Sequence, residues 1–286
     1  MKIAVIGANG QLGSDICVEF SSHGDDVVKL THADIEVTGI DSVSKTLNSI
    51  KPDFVINTAA MHNVEKCELD PLQSFSINGI GARNLAIVCN DINAVLMHIS
   101  TDYVFDGSKM APYVETDIVS PLNVYGNTKV SGEQFIRTTA KKYFIVRTSG
   151  IYGHNPCRAK GGLNFVELML KLAKEKPELR VVNDEFLTPT STREIARQLV
   201  KLSSSSTYGL YHATAEGSCS WYEFAGKIFE LSGLSPKLNM ANPDEFPMKV
   251  PRPKYSVLEN AELKKTGLNV FKPWDKALEE YLGSGN

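Results

Sequence analysis

A short apolar run, Lys2-Ile-Ala-Val-Ile6, passes directly into Gly7-Ala-Asn-Gly-Gln-Leu-Gly13 and then into a helical pattern through Ile16, Val18 and Phe20. Strand, glycine-rich turn and helix together form the context in which such glycines carry function. Gly7 lets the chain turn sharply, Gly10 lets a pyrophosphate approach the main chain, and Gly13 permits close packing of helix on strand. The N–H groups around Asn9, Gly10, Gln11, Leu12 and Gly13 then face the phosphates at the start of the helix. The spacing is G-x-x-G-x-x-G rather than the G-x-G-x-x-G of the dehydrogenases. This stretch predicts a nucleotide-binding α/β protein.

A second strand over residues 26–30 ends at Thr31-His32, where an acid would hold the ribose hydroxyls of NAD. The acids come later, at Asp34 and Glu36. Lys29 or His32 could face a 2′-phosphate there, which tilts the choice toward NADPH over NADH; as plain surface residues they would decide nothing. A third strand over 53–57 is followed by Thr58-Ala59-Ala60-Met61, whose small side chains leave room for a dinucleotide across the sheet. A long helix is predicted over 71–90, carrying Asn78, which either bonds the next strand or faces water. Strands over 94–100 and 143–147 flank a helix beginning near Pro121. Strands alternating with helices at this rhythm predict a doubly wound parallel sheet.

After Gly150 the texture changes, with prolines and glycines clustering before a mixture of helices and short strands. The division predicted is a nucleotide-binding domain over 1–150 and a smaller α/β lobe, mainly 151–286, with 184–205 returning to the first. A helix over 163–174 would turn Phe165, Leu168, Met169 and Leu172 inward. Residues 203–207 read as a polar linker, 221–231 as an amphipathic helix, and a proline-rich loop follows that contains Arg252.

Three residues between these landmarks carry chemistry. Thr101 ends a strand, where open α/β sheets place their ligands. Tyr125 and Lys129 stand four apart on a helix and so share a face. An ammonium beside a phenol favours the phenolate, so Lys129 is expected to lower the Tyr125 pKa toward the range of a working acid. Hydroxyl, phenol and ammonium around one carbonyl make a reductase site; the plainer alternative is a strand cap and a half-buried core tyrosine.

The formal net charge of -3 over 286 residues gives no footprint for nucleic acid or an anionic membrane. No apolar stretch approaches the roughly 20 residues of a membrane span. Met1-Lys2 runs straight into a strand with no leader pattern. Five scattered cysteines without a C-x-x-C pair suit a reduced compartment, the cytoplasm, and six histidines without metal-ligand spacing predict no catalytic metal.

GANGQLG at 7–13, STDYVFDG at 100–107, SPLNVYGNTK at 120–129 and RTSGIYG at 147–153 together resemble the extended short-chain dehydrogenases. More narrowly they resemble the dTDP-4-dehydrorhamnose reductase family, with similarity continuing through VVNDEFLTPT, GSCSWYEFA and RPKYS. The resemblance implies a Rossmann-type domain, a sugar-nucleotide lobe, and a Thr101/Tyr125/Lys129 triad that passes hydride from NADPH or NADH to the 4-keto carbon of a dTDP-sugar. It puts Glu36 and Val37 on the adenine side of the cofactor, beside Thr31 and His32 at the strand end, and the cofactor contacts expected along the rest are Ala59, Ala60, Met61, Asn78, Tyr125 and Lys129. It puts Thr101, Asp102, Tyr103, Gly150 and Arg252 at the substrate, and the assembly, a homodimer among the possibilities, stays open. Sugar-nucleotide dehydratases carry Asp-Glu after the threonine; Asp102-Tyr103 here lacks the eliminating acid. The family pattern has tryptophan where this chain has Gly150, which implies a larger sugar pocket unless a neighbour such as Tyr152 fills it. Two other readings share these motifs: an epimerase that keeps NAD bound, and a non-catalytic regulator like the β subunit of methionine adenosyltransferase.

Overall fold

A computed structural model describes residues 1–156, 161–242, 245 and 249–283. The first half alternates strand and helix: β1 (Lys2–Ile6), α1 (Gln11–Ser22), β2 (Asp26–Leu30), α2 (Ile40–Ile50), β3 (Phe54–Asn57) and α3 (Val64–Leu69). Next come α4 (Pro71–Phe75), a π segment (Ser76–Ile80), α5 (Gly81–Asp91), β4 (Val95–Thr101), α6 (Val124–Thr139) and β5 (Tyr143–Thr148). The second half runs β6 (Ile151–Tyr152), α7 (Phe165–Glu175), β7 (Glu178–Val181), β8 (Phe186–Leu187), β9 (Thr190–Ser191), α8 (Thr192–Ser203) and β10 (Gly209–His212). It closes with β11 (Cys219–Ser220), α9 (Trp221–Leu231), β12 (Lys237–Met240), α10 (Ala261–Lys265) and α11 (Trp274–Gly283).

The main sheet has the order β10-β5-β4-β3-β1-β2, and every pairing in it is parallel. Its strands read as apolar runs because both faces are covered. On one face α1 and α8 bury Ile16, Phe20, Ile195 and Leu199; on the other α2, α5 and α6 bury Leu47, Leu85 and Ile136. The order of strands reverses between β1 and β3, and ligands of such sheets bind in the crevice at that point. Gly7 turns the chain there with φ +80°, and a Cβ on Gly13 would stand 2.2 Å from the Gly7 carbonyl oxygen. The chain returns to this sheet over a longer stretch than 184–205, because β10 follows the polar linker and pairs with β5. Four residues after a serine run carry too little pattern to read as a strand.

The smaller core gathers Tyr152, Val166, Met169, Phe224, Ile228 and Leu278 from β6, α7, α9 and α11. Helix α7 starts at Phe165 because Asn164 and Glu167 form a capping box. Leu168, expected to face inward, is 39% exposed, and Val166 takes that role. Among the described residues no helix is long and apolar enough to cross a membrane.

A fully buried ion pair ties β5 to α6. Arg147 of β5 donates from Nε and Nη2 to the two carboxylate oxygens of Glu133 on α6, at 2.9 and 2.6 Å. Ser100 of β4 adds a third donor at 2.6 Å, and the guanidinium lies 5.2 Å over the Phe105 ring. Removing one member of such a pair strands the other charge without solvent. Glu133→Ala is therefore expected to cost about 3–5 kcal/mol of stability, read from urea unfolding. A loss under about 1 kcal/mol, the range of surface pairs, would show that water reaches Arg147.

Candidate active site

A cavity of about 610 Å³ opens at the carboxyl ends of β1, β3, β4 and β5 and is walled on its far side by the smaller lobe. Gly10, Gln11, Leu12 and Gly13 form one end of it. Gly10 caps α1 without any side-chain hydrogen bond, so the first N–H groups of a twelve-residue helix are left open to the cavity. That end suits an anionic diphosphate. Thr58 and Ala60 line the cavity too, whereas Ala59 and Met61 stand beside it. Asn9 is exposed outside it, and the Gln11 side chain is already committed, donating to the carbonyls of Gly153 and Asn155 at 3.3 and 3.1 Å.

Thr31, His32, Glu36 and Val37 lie away from this lining. The Thr31 hydroxyl donates to Asp34 at 2.7 Å, and His32 Nδ1 stands 3.4 Å from the Glu36 carboxylate. An acid thus meets His32 after all, reached from four residues along the loop. Val37 is buried against Gly81, and its carbonyl accepts from Asn84. Asn78 neither bonds the next strand nor faces water. Its carboxamide accepts from Met61 N–H and donates to the Met61 carbonyl and the Thr128 hydroxyl, each at 2.9 Å. It sits in the π segment, 1% exposed, and fixes the loop after β3 to α6 rather than touching the cavity.

Thr101, Asp102, Tyr103, Tyr125 and Lys129 all line the cavity. Helix α6 begins at Val124, three residues later than expected, because the Asn123 side chain accepts from Gly126 N–H and caps it. Gly126 is needed there, since a Cβ would stand 2.3 Å from the Tyr103 carbonyl oxygen. The Tyr125 ring meets Tyr103 edge-on, with centroids 6.0 Å apart. Thr101 donates to Asp102 Oδ1 at 2.9 Å and Ser149 to Oδ2 at 2.8 Å, so this buried carboxylate orients hydroxyls before it can reach a ligand. Burial raises its pKa, opposed by Ser256, Ser149 and Thr101.

The pairing of Tyr125 with Lys129 differs from expectation. Burial pushes the phenol well above its usual value, with Thr101 pulling it partly back. Lys129 Nζ instead lies 3.0 Å from His98 Nε2 and donates to the Ile99 carbonyl at 2.7 Å. Burial pulls this amine down to about 8, against the opposing charge of Glu133. The physical reason is depth: a 1%-exposed amine takes the nearest buried polar partners, and β4 supplies them.

Opposite these residues stand Glu185, Trp221 and Arg252 from the smaller lobe, of which the sequence singled out only Arg252. Burial raises the Glu185 pKa, opposed by Arg252 and by a Trp221 hydrogen bond. Asp184-Glu185 reads as a solvated turn, so no local signal marks it. Among the described residues four buried side-chain polar atoms lack a hydrogen-bond partner; three of them, Thr148 Oγ1, Tyr152 Oη and Arg252 Nε, belong to residues that line this cavity. Orphaned groups of this kind are costly unless a ligand satisfies them.

Gly150 does not leave a larger pocket. Its φ is +55°, and a Cβ would meet Leu187 Cδ1 at 2.6 Å, the Thr188 carbonyl oxygen at 3.0 Å and Pro189 Cα at 3.2 Å. Nor does Tyr152 fill that space, since its ring packs between Phe224 and Tyr281 in the smaller core. Gly150→Trp should therefore strain the backbone by about 1–2 kcal/mol and displace Leu187, lowering the unfolding midpoint. A tryptophan variant of unchanged midpoint would overturn this.

Known proteins resemble this chain along nearly its whole length. The family model described as RmlD substrate binding domain matches residues 1–285. The spore coat polysaccharide biosynthesis protein SpsK of Bacillus subtilis is 43% identical over 281 residues, covering 98% of this chain and 96% of its own. The crystal structure of a dTDP-4-dehydrorhamnose reductase of Clostridium acetobutylicum superposes with a TM-score of 0.94 at 42% identity, covering 99% of both chains. The dTDP-4-dehydrorhamnose reductase of Bacillus anthracis, solved in complex with NADP, gives 0.94 at 36% identity with the same coverage. Matched by this model over residues 1–285, the chain belongs to the RmlD substrate binding domain family.

Proposed function

We propose that this chain reduces the 4-keto group of dTDP-4-dehydrorhamnose with NADPH, with Tyr125 as the proton donor. The observation that carries the reading is the convergence of an open helix N-terminus and a protonated phenol on one cavity, among whose lining residues Thr148, Tyr152 and Arg252 each keep a buried polar atom without a partner. When bound, the nicotinamide supplies the hydride. The α1 N–H groups hold the diphosphate of the cofactor, and Thr31, His32, Glu36 and Val37 are the candidates for its adenosine half. Tyr125 keeps its proton through the neutral range and gives it to the oxygen left on the sugar. Asp102 holds the Thr101 hydroxyl beside that phenol. Arg252, with a buried unpaired N–H, suits the anionic end of the sugar nucleotide. The dTDP-4-dehydrorhamnose reductases of Clostridium acetobutylicum and Bacillus anthracis support the substrate, and the NADP complex of the latter supports the cofactor.

The deciding experiment follows NADPH absorbance with dTDP-4-dehydrorhamnose. Stoichiometric consumption is expected; a cofactor that stays bound and is never consumed would indicate an epimerase, and binding without any turnover a regulator. Tyr125→Phe should lower turnover by about 10²-fold or more while NADPH affinity holds. Near-normal turnover would remove Tyr125 from the mechanism.

Gly10 lines the cavity with φ -84° and ψ 170°, a conformation open to any side chain, and a Cβ there meets only the Gly7 carbonyl, at 3.2 Å. Gly10→Val should thus abolish NADPH binding while costing only about 1 kcal/mol of stability, the penalty of a poor helix cap. Equal NADPH titrations for the two proteins would sink the assignment of the diphosphate to this turn.

A further inference from the structure

Lys129 rests at the end of a buried hydrogen-bond chain whose direction can be read from its other end. The Ala59 N–H can only donate, and it donates to Asn57 Oδ1 at 3.1 Å. The amide nitrogen of Asn57 must then face His98, and it lies 3.0 Å from Nδ1. An amide nitrogen donates and does not accept, so Nδ1 is the unprotonated nitrogen of the ring. His98 is 1% exposed, and burial holds it neutral, far below its usual pKa. Its single proton is therefore on Nε2, the atom 3.0 Å from Lys129 Nζ. An N–H aimed at an ammonium is a clash of donors, whereas the lone pair of a neutral amine accepts it. The amine still donates one of its own protons to the Ile99 carbonyl.

We propose that Asn57 and His98 form a seat that holds Lys129 as a neutral amine in the cofactor-free chain at mildly alkaline pH, and that binding of NADP(H) then charges Lys129 with one proton taken from solvent. The proposal rests on the reading that the cavity takes this cofactor. An anionic dinucleotide entering the cavity favours the charged form of a nearby amine, and its hydroxyl and phosphate oxygens accept from an ammonium where His98 cannot. His98 and Asn57 are thus positioning residues. Neither lines the cavity.

The groups that face this seat leave Lys129 as the one that titrates in the range concerned. From its own helix come Tyr125, pushed upward by burial, and Glu133, which Arg147 of β5 holds. Asp102 and Tyr103 follow β4 and stand nearer the phenol, Cys67 of α3 stands beside Tyr125, and Glu68 of α3 accepts from Val124 N–H at the helix start. In the free chain the amine titrates at about 8. Binding raises that value, so affinity is full at lower pH and is lost as pH rises past the free-chain value.

The test is the affinity of NADP⁺, which binds without turnover, measured by titration calorimetry from about pH 7.5 to 9.5 in two buffers of different ionisation enthalpy. Above about pH 8 the dissociation constant should weaken by about tenfold per pH unit, with close to one proton taken up per cofactor. Asn57→Asp reverses the chain: its second oxygen accepts from His98 Nδ1–H, Nε2 becomes an acceptor, and Lys129 stays charged in both states. This variant should bind with little pH dependence and no proton uptake, and so should Lys129→Met. Proton uptake that persists in Lys129→Met places the proton elsewhere and overturns the proposal. So does an unchanged pH dependence in Asn57→Asp; should that variant not fold, the wild type and Lys129→Met decide. Tight, pH-independent binding by the wild type overturns this inference alone. No binding at any pH would remove the cofactor reading as well.

Discussion

The depth at which α6 lies against the sheet is the constraint on which the site depends. Tyr125, Lys129 and Glu133 are spaced by four, so one stripe of the helix carries a phenol, an amine and a carboxylate, and the sheet buries it. A polar stripe can be buried only if each group finds a partner. Glu133 finds Arg147 and Ser100, and Lys129 finds His98 and the Ile99 carbonyl. Two glycines let the helix come this close: a Cβ on Gly126 would press on the Tyr103 carbonyl, and one on Gly132 would stand 2.4 Å from that of Asn78. A buried ion pair is a weak source of net stability compared with apolar packing, so its value here lies in setting register. Sliding α6 by a residue would strand both charges and move the phenol off the cavity.

The same helix also shows where a linear reading succeeds and where it stops. Tyr125 and Lys129 were legible as neighbours because helical periodicity is local. What Lys129 touches was not, because His98 sits in an apolar strand and reads as a core histidine of no consequence. Asn78 looked like a polar interruption in a long helix; its use emerges only once the π segment swings it toward Met61 and Thr128. Gly150 misled for a related reason. Its vacancy is filled by Leu187, thirty-seven positions on, and no pattern around Gly150 announces that neighbour. The parallel sheet was legible from its apolar runs up to β5, and β10 escaped because its four residues follow a serine-rich stretch.

Helix α1 links the two halves of the cavity. Its open N-terminus faces the crevice of the sheet, while Gln11 and Asp15 on the same helix reach the smaller lobe. Gln11 donates to Gly153 and Asn155 carbonyls, and Asp15 accepts from Asn155 and from Thr192 at the head of α8. Gly153 leaves no room for a side chain, since a Cβ would run into the Thr192 hydroxyl. The glycine turn at one end of the cavity is thereby bonded to the lobe that walls its far side. The two cannot shift independently without breaking buried hydrogen bonds, each worth about 1 kcal/mol net.

Burial also divides the handling of the proton into two parts. A phenol at this depth holds its proton firmly, which suits a group that must be protonated when a ketone arrives, but firmness opposes release. Each pKa unit of elevation adds about 1.4 kcal/mol to forming the phenolate. Something must stabilise that anion as it forms, and the candidates on the walls are few. Thr101 has one proton, committed to Asp102. Arg252 stands by Tyr103 and Glu185, across the cavity. Lys129, one turn along from Tyr125, is the amine on the phenol's own helix face, and in this structure it is turned toward His98 instead. In the role proposed for Tyr125, storage of the proton is thus the work of burial, and its release depends on a charge that must first reach the site.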